Sequence, residues 1–279
     1  MKEIYESEIT EAIKNLFIKA NLELPEDVHA ALNEAESSEP WPLAKEGLGL
    51  LQENLLIAKK NCLPICQDTG AACVYAEIGN DVHINGDFSK AVNEGVRQAY
   101  TEGYFRKSIV KDPIKRGNTE DNTPAFITTV LTTGDKLKLT VMAKGFGSEN
   151  MSRLSMLKPA EGEQGVLDFV IDTVKKAGPN PCPPIIVGVG IGGSFDKVAF
   201  LAKKALLRPL NERNKDEYYA SLEAHLLEEI NKLGIGPQGF GGKTSCLGVA
   251  IEQMPTHVAG LPVAVNINCH ATRRASIEL

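Results

Sequence analysis

The chain has 279 residues, 43% hydrophobic and 24% charged, which is enough apolar material to bury a sizeable core. Its formal charge of -6 excludes a basic nucleic-acid surface, and leaves any anionic ligand to be held by local Arg and Lys rather than by the overall field. The opening Met1-Lys2-Glu3-Ile4-Tyr5-Glu6-Ser7-Glu8 lacks a signal-peptide core and no apolar run reaches membrane-spanning length, so a cytoplasmic chain without membrane contact is expected.

Periodicity predicts a helical N-terminal segment over about residues 1–60. Ile9, Ile13, Leu16, Phe17 and Ala20 recur at helical spacing, as do Leu48, Leu51, Leu55 and Ala58, with Pro25, Pro40 and Pro42 as punctuation. From Ala72 the period shortens, with Val74, Ala76 and Ile78 alternating, and residues 125–143 predict a hairpin turning at Thr132-Thr133-Gly134-Asp135. In its second arm Leu137, Leu139 and Val141 form a buried face and Lys136, Lys138 and Thr140 a wet one. A helical stripe of Val166, Leu167, Val170, Ile171 and Val174 stops at Gly178, a left-handed cap position. The apolar run Ile185 to Val189 predicts a buried strand, followed by helices at about 195–207 and 217–233 and strands at about 247–251 and 262–267. The implied fold class is α+β, a mixed α/β chain in which the helical segment precedes a mixed sheet with crossover helices. With no repeat, low-complexity tract or linker in sight, a single domain over 1–279 is expected.

The six cysteines are too sparse for a disulfide framework and are read as thiols. Cys66, Cys182 and Cys269 each sit in a turn of Pro, Gly or small polar residues: Leu63-Pro64-Ile65-Cys66-Gln67-Asp68-Thr69-Gly70, Gly178-Pro179-Asn180-Pro181-Cys182-Pro183-Pro184 and Asn266-Ile267-Asn268-Cys269-His270. Three ligands on stiff turns suit a metal centre with one open position for substrate, such as an iron-sulfur cluster, since electron-transfer clusters usually take four Cys. Cys62, Cys73 and Cys246 lie in apolar surroundings and are expected as buried small hydrophobes. Cys62 and Cys66 could form half of a zinc site, but no matching pair follows. Gly188-Val189-Gly190-Ile191-Gly192-Gly193 fits the dinucleotide fingerprint between strand and helix. The acidic ribose partner that fingerprint requires is replaced by the basic stretch Lys203 to Arg208. The glycines are therefore expected to permit close packing near Cys182, or to offer amides to an anion at the helix start. His257 lies between Gln253-Met254-Pro255-Thr256, read as helix or loop, and the strand leading to Cys269.

Together, Cys66-Gln67-Asp68-Thr69-Gly70, Lys144-Gly145-Phe146-Gly147-Ser148-Glu149-Asn150, Cys182-Pro183-Pro184, Gly241-Gly242-Lys243 and His257 twelve residues before Cys269 resemble the iron-sulfur class I fumarate hydratases, from about residue 45 to the C-terminus. L-tartrate dehydratase, of the same hydro-lyase family, shares the pattern. The resemblance implies one four-iron four-sulfur cluster held by Cys66, Cys182 and Cys269, with one iron open to a dicarboxylate substrate. It implies catalytic roles for Asp68 and His257, and substrate contacts from Gln67, Arg106, Gly145 or Gly147, Lys144 and Lys243. Arg273 is a further basic residue in the matching stretches. Single-chain members of the family carry the carbon-acid base in a C-terminal domain, whereas this chain ends ten residues after Cys269. The resemblance thus implies the α subunit of the two-subunit form, completed by a β subunit. Its expected activity is reversible hydration of fumarate to L-malate. The alternative is dehydration of tartrate to oxaloacetate, and a third reading is a non-catalytic iron-sulfur or nucleotide-binding module.

Overall fold

The computed structural model describes residues 1–279 as two compact units, each assembled from separated stretches of chain. The first holds Met1–Pro25, Asn54–Phe146 and Ala271–Leu279; the second holds Glu26–Glu53 and Gly147–His270. In chain order the elements are β1 (Lys2–Tyr5), α1 (Glu6–Leu22), α2 (Glu26–Ser38), α3 (Pro42–Asn61), β2 (Ala71–Gly79), β3 (Val82–Asn85), α4 (Phe88–Glu102), β4 (Phe126–Thr132), β5 (Leu137–Lys144) and α5 (Phe146–Glu149). They continue with β6 (Arg153–Leu157), α6 (Gly162–Ala177), β7 (Ile185–Gly193), α7 (Phe195–Ala205), α8 (Glu217–Lys232), β8 (Cys246–Thr256), β9 (Leu261–Asn268) and β10 (Arg274–Glu278). The mixed sheets and their crossover helices give the α+β class expected from the sequence. The elements β1, β3, α4, α5, β6 and β10 go beyond those predicted. No helix is long and apolar enough to cross a membrane.

The first unit is built on a sheet in the order β10-β5-β2-β4. Ile9, Ile13, Leu16 and Phe17 of α1, Val92, Val96 and Tyr100 of α4 and Leu137, Leu139 and Val141 of β5 share one buried core. Each of these large side chains contributes about 1.5–3 kcal/mol by leaving water. Glu8 accepts a hydrogen bond from the Tyr5 N–H at the start of α1 (2.9 Å), and Asp87 caps α4 through the Lys90 N–H (2.9 Å). The strands at 126–144 do not form the predicted hairpin: β2 lies between them, parallel to β4 and antiparallel to β5. The turn has other partners, because Lys136 O, Thr132 O and Gly134 O accept hydrogen bonds from the N–H groups of Gly79, Asn80 and Asp81. The β2 strand, with Ala71, Ala72, Cys73, Val74 and Ala76 buried on both faces, needs that central place.

The second unit repeats the arrangement in the order β6-β9-β7-β8, with β7 parallel to β8 and antiparallel to β9. One face of this sheet is covered by α6 and α8 through Val166, Val170, Val174, Leu226 and Ile230. The opposite face meets α7, where Val198 and Ala202 pack with Ala264. The glycine run 188–193 is part of β7 rather than a loop. A Cβ on Gly188 would stand 2.2 Å from Ala202 O, and one on Gly190 2.2 Å from Val198 O. These two glycines therefore admit the backbone of α7 onto the strand, and the close packing they permit is against that helix.

Both units share one topology: a central strand, one or two helices, a strand parallel to the centre, then one antiparallel to it. The outermost strands are exchanged, since β6 follows β5 in the chain but pairs with β9, and β10 follows β9 but pairs with β5. The sequence shows no such repeat, and the topology does.

Candidate functional site

The shared topology places a loop pair at one end of each sheet. Ala71 at the start of β2 lies opposite Lys144 at the end of β5, and Ile186 near the start of β7 lies opposite Asn268 at the end of β9. In each unit the turn entering the central strand therefore meets the turn leaving its antiparallel neighbour. The cysteine motifs occupy these turns.

In the first unit the turn from Cys66 to Gly70 is held by side chains from several elements. The Ile65 N–H donates to Asn21 O and the Asn54 amide donates to Ile65 O, both at 2.9 Å. Asp68 accepts from the Gly70 N–H on Oδ1 (3.0 Å) and from the Phe146 N–H on Oδ2 (2.9 Å). Thr69 Oγ1 donates to Arg106 O at 3.0 Å, and the Asn122 amide donates to Gly70 O at 3.2 Å. The Tyr100 hydroxyl lies 2.7 Å from Thr69 O and 3.0 Å from Gly70 O. Burial raises the pKa of this phenol, so it stays a neutral donor. Gly70 itself has φ 78, and a Cβ there would stand 2.7 Å from Ala143 C, so only glycine fits. The unit thus gathers Cys66, Gln67, Asp68, Gly145 and the backbone of Arg106. Gln67 and the Arg106 side chain are exposed, Cys66 and Asp68 half-buried. Lys144 is buried, and its Nζ donates to Gly145 O at 3.3 Å.

In the second unit Cys182 takes φ 53, a left-handed conformation uncommon outside glycine. Its carbonyl accepts from the His270 main-chain N–H at 3.4 Å and lies 2.9 Å from His270 Nδ1. The same Nδ1 lies 3.2 Å from Gln238 Nε2. Gln238 donates from its main-chain N–H and from Nε2 to Pro183 O, each at 2.7 Å. The Cys182 turn is thereby tied to the residue after Cys269. Gln238 carries no motif that marks it, whereas His270 is marked only by its place beside Cys269.

Gly147 lies in α5, and Lys243 and His257 stand on other loops of this unit. Lys243 is exposed on a loop whose N–H groups bind Glu39. His257 is exposed in the turn after β8, where its Nδ1 accepts from the Ala259 N–H at 3.2 Å. The preceding Gln253 to Thr256 are strand, not the helix or loop expected, because the β8 pairing with β7 extends through them.

No three His, Cys, Asp or Glu side chains gather in this structure so as to hold a metal ion. The chemistry of the cysteines still sorts them. None is joined in a disulfide, and Cys66 and Cys269 are half-buried and Cys182 exposed, as thiolate ligands require. Cys73 and Cys246 are buried, and burial pushes the Cys246 thiol up to about 12. Cys62, expected to be buried, is exposed: it follows the end of α3 at φ 52, turned away from any core.

The sequence model of the family described as Fumarate hydratase (Fumerase) matches residues 10–278. A Methanocaldococcus jannaschii chain named, provisionally, L(+)-tartrate dehydratase subunit alpha is 42% identical over 274 residues, covering 96% of each chain. The L(+)-tartrate dehydratase subunit alpha of Escherichia coli strain UTI89 is 32% identical over 276 residues, covering 98% of this chain and 91% of its own. That of strain K12 is 31% identical over 274 residues, covering 97% and 90%. These matches make the chain a hydro-lyase. It belongs to the fumarate hydratase (Fumerase) family.

Proposed function

We propose that the chain is the α subunit of an iron-sulfur hydro-lyase that dehydrates a four-carbon hydroxydicarboxylate, with L(+)-tartrate the leading substrate. The observation that carries this is its match, over nearly its whole length, to relatives named L(+)-tartrate dehydratase subunit alpha. This shifts the reading from the fumarate hydration expected from the sequence. The fumarate/L-malate reaction remains the second reading because the family model bears that name. The two substrates differ by one hydroxyl, and a site built to hydrogen-bond that group can discriminate strongly.

In this reading Cys66, Cys182 and Cys269 ligate one four-iron four-sulfur cluster, and the accessible thiols described above suit that task. When bound, the cluster supplies a Lewis acid that polarises the departing hydroxyl. Arg106 pairs a substrate carboxylate in fork geometry, assisted by Gln67, Gly145 or Gly147, Lys144 and Lys243. Asp68, its carboxylate fixed by the Gly70 and Phe146 amides, accepts a hydrogen bond from the substrate hydroxyl and orients it, and His257 donates the proton with which that oxygen departs as water. A base on the β subunit takes the proton from the adjacent carbon, and those electrons form the double bond as the C–O bond breaks.

The test is anaerobic purification with the β partner, reconstitution with iron and sulfide, and parallel assays on L-tartrate and L-malate. Tartrate turnover, abolished in Cys182→Ser and reduced about 10²–10⁴-fold in Asp68→Asn, is the expected result. Malate turnover alone would move the assignment to fumarase, and a colourless preparation inert on both substrates would overturn the reading.

A further inference from the structure

We infer that Arg273 is a positioning residue, a buried strut that sets the Asp68 turn. Its side chain is 1% exposed. Nη1 donates to Asp68 O at 2.5 Å and lies 3.3 Å from Asn21 Oδ1. A Cβ on Gly145 would stand 3.4 Å from Arg273 Nη2 and 3.3 Å from Asp68 Oδ2, so the guanidinium and the carboxylate flank the same glycine. The other end of the strut is equally fixed: Arg273 O accepts from the Ala143 N–H at 3.1 Å, and Arg274 pairs with Met142 in the β10–β5 ladder. A cation this deep is expensive to bury, and its Nε finds no hydrogen-bond partner. Simple core filling would be served better by an apolar side chain. What the guanidinium adds is a rigid fork reaching from the sheet to the main chain of Asp68, which the single ammonium of lysine does not reproduce.

The catalytic part of this inference rests on the proposed role of Asp68; the structural part does not. The test is Arg273→Lys in the complex with the β partner, read by kinetics and by amide hydrogen exchange. Exchange over residues 66–70 is expected to accelerate at least about tenfold while that of β2 and β5 is unchanged. Turnover is expected to fall roughly tenfold to hundredfold with KM within about threefold, and iron content to be retained. Adding Arg273→Lys to Asp68→Asn is expected to cost nothing further, because both act on one group. Wild-type exchange over 66–70 in Arg273→Lys would overturn the inference, as would a loss that multiplies with that of Asp68→Asn. If Asp68→Asn turns over normally while Arg273→Lys loosens 66–70, the reading of Asp68 fails and the strut stands. Asn21→Leu, which removes the neutral acceptor of Nη1, provides the same exchange readout if Arg273→Lys does not fold.

Discussion

A carboxylate far from any motif fixes one of the motif residues. Glu39 is 3% exposed, and it accepts hydrogen bonds from the N–H groups of Trp41 (3.1 Å), Lys243 (2.9 Å) and Thr244 (3.3 Å). The loop that carries Lys243 is thus held by a residue 204 positions earlier. Glu39→Gln replaces one acceptor oxygen with a donor facing other donors. It is expected to lower stability by about 1.5–3 kcal/mol, seen as a reduced urea midpoint at unchanged slope. An unchanged midpoint would show that the loop holds itself. Motif residues such as Asp68 and Lys243 are legible because their chemistry is local to a short pattern. Glu39, Tyr100 and Asn122 are not, because each meets its loop only through the tertiary fold and nothing in its own neighbourhood marks the partner.

At the scale of elements, the pairing of β7 with α7 depends on the absence of two side chains. With a Cβ at Gly190 only 2.2 Å from a backbone oxygen of α7, the helix must move and no flexible side chain can yield. Gly190→Ala is expected to destabilise the second unit by more than about 3 kcal/mol, or to leave it insoluble, as overpacking against backbone does. Gly134→Ala, where a Cβ meets nothing within 4 Å, tests only backbone strain at φ 100 and is expected to cost less. Equal midpoints in thermal melts of the two variants would refute the packing argument. Periodicity located α6, α7, α8, β8 and β9 because each buries one continuous face. It could not assign partners: residues 126–144 alternate like a hairpin, yet β2 enters between the arms. Helix α4 is legible in part through its Asp87 cap and the Val92, Val96 and Tyr100 face, but Gly95 weakens its helical pattern.

For the whole molecule, the recurring topology carries no recurring sequence, since it requires only a buried central strand with one parallel and one antiparallel neighbour. The exchange of outer strands hides the two units further, because neither is a continuous stretch of chain. A chain cut after Phe146 gives a first fragment that lacks β10, so the β5 edge of its sheet is left unpaired and Leu137 and Leu139 lose part of their cover. The second fragment lacks α2, whose Asp27 accepts from the Leu210 N–H at 2.8 Å, and also lacks Glu39 and with it the anchor of the Lys243 loop. Each fragment alone is therefore expected to expose apolar surface, bind a hydrophobic dye and melt without a cooperative transition, whereas the intact chain unfolds cooperatively. Extending the first fragment with a linked copy of residues 271–279 restores the missing strand, and is expected to recover protected amides along β5. A bare 1–146 fragment with those amides already protected would show that the exchanged strand is dispensable, and that the first sheet is complete in the order β5-β2-β4.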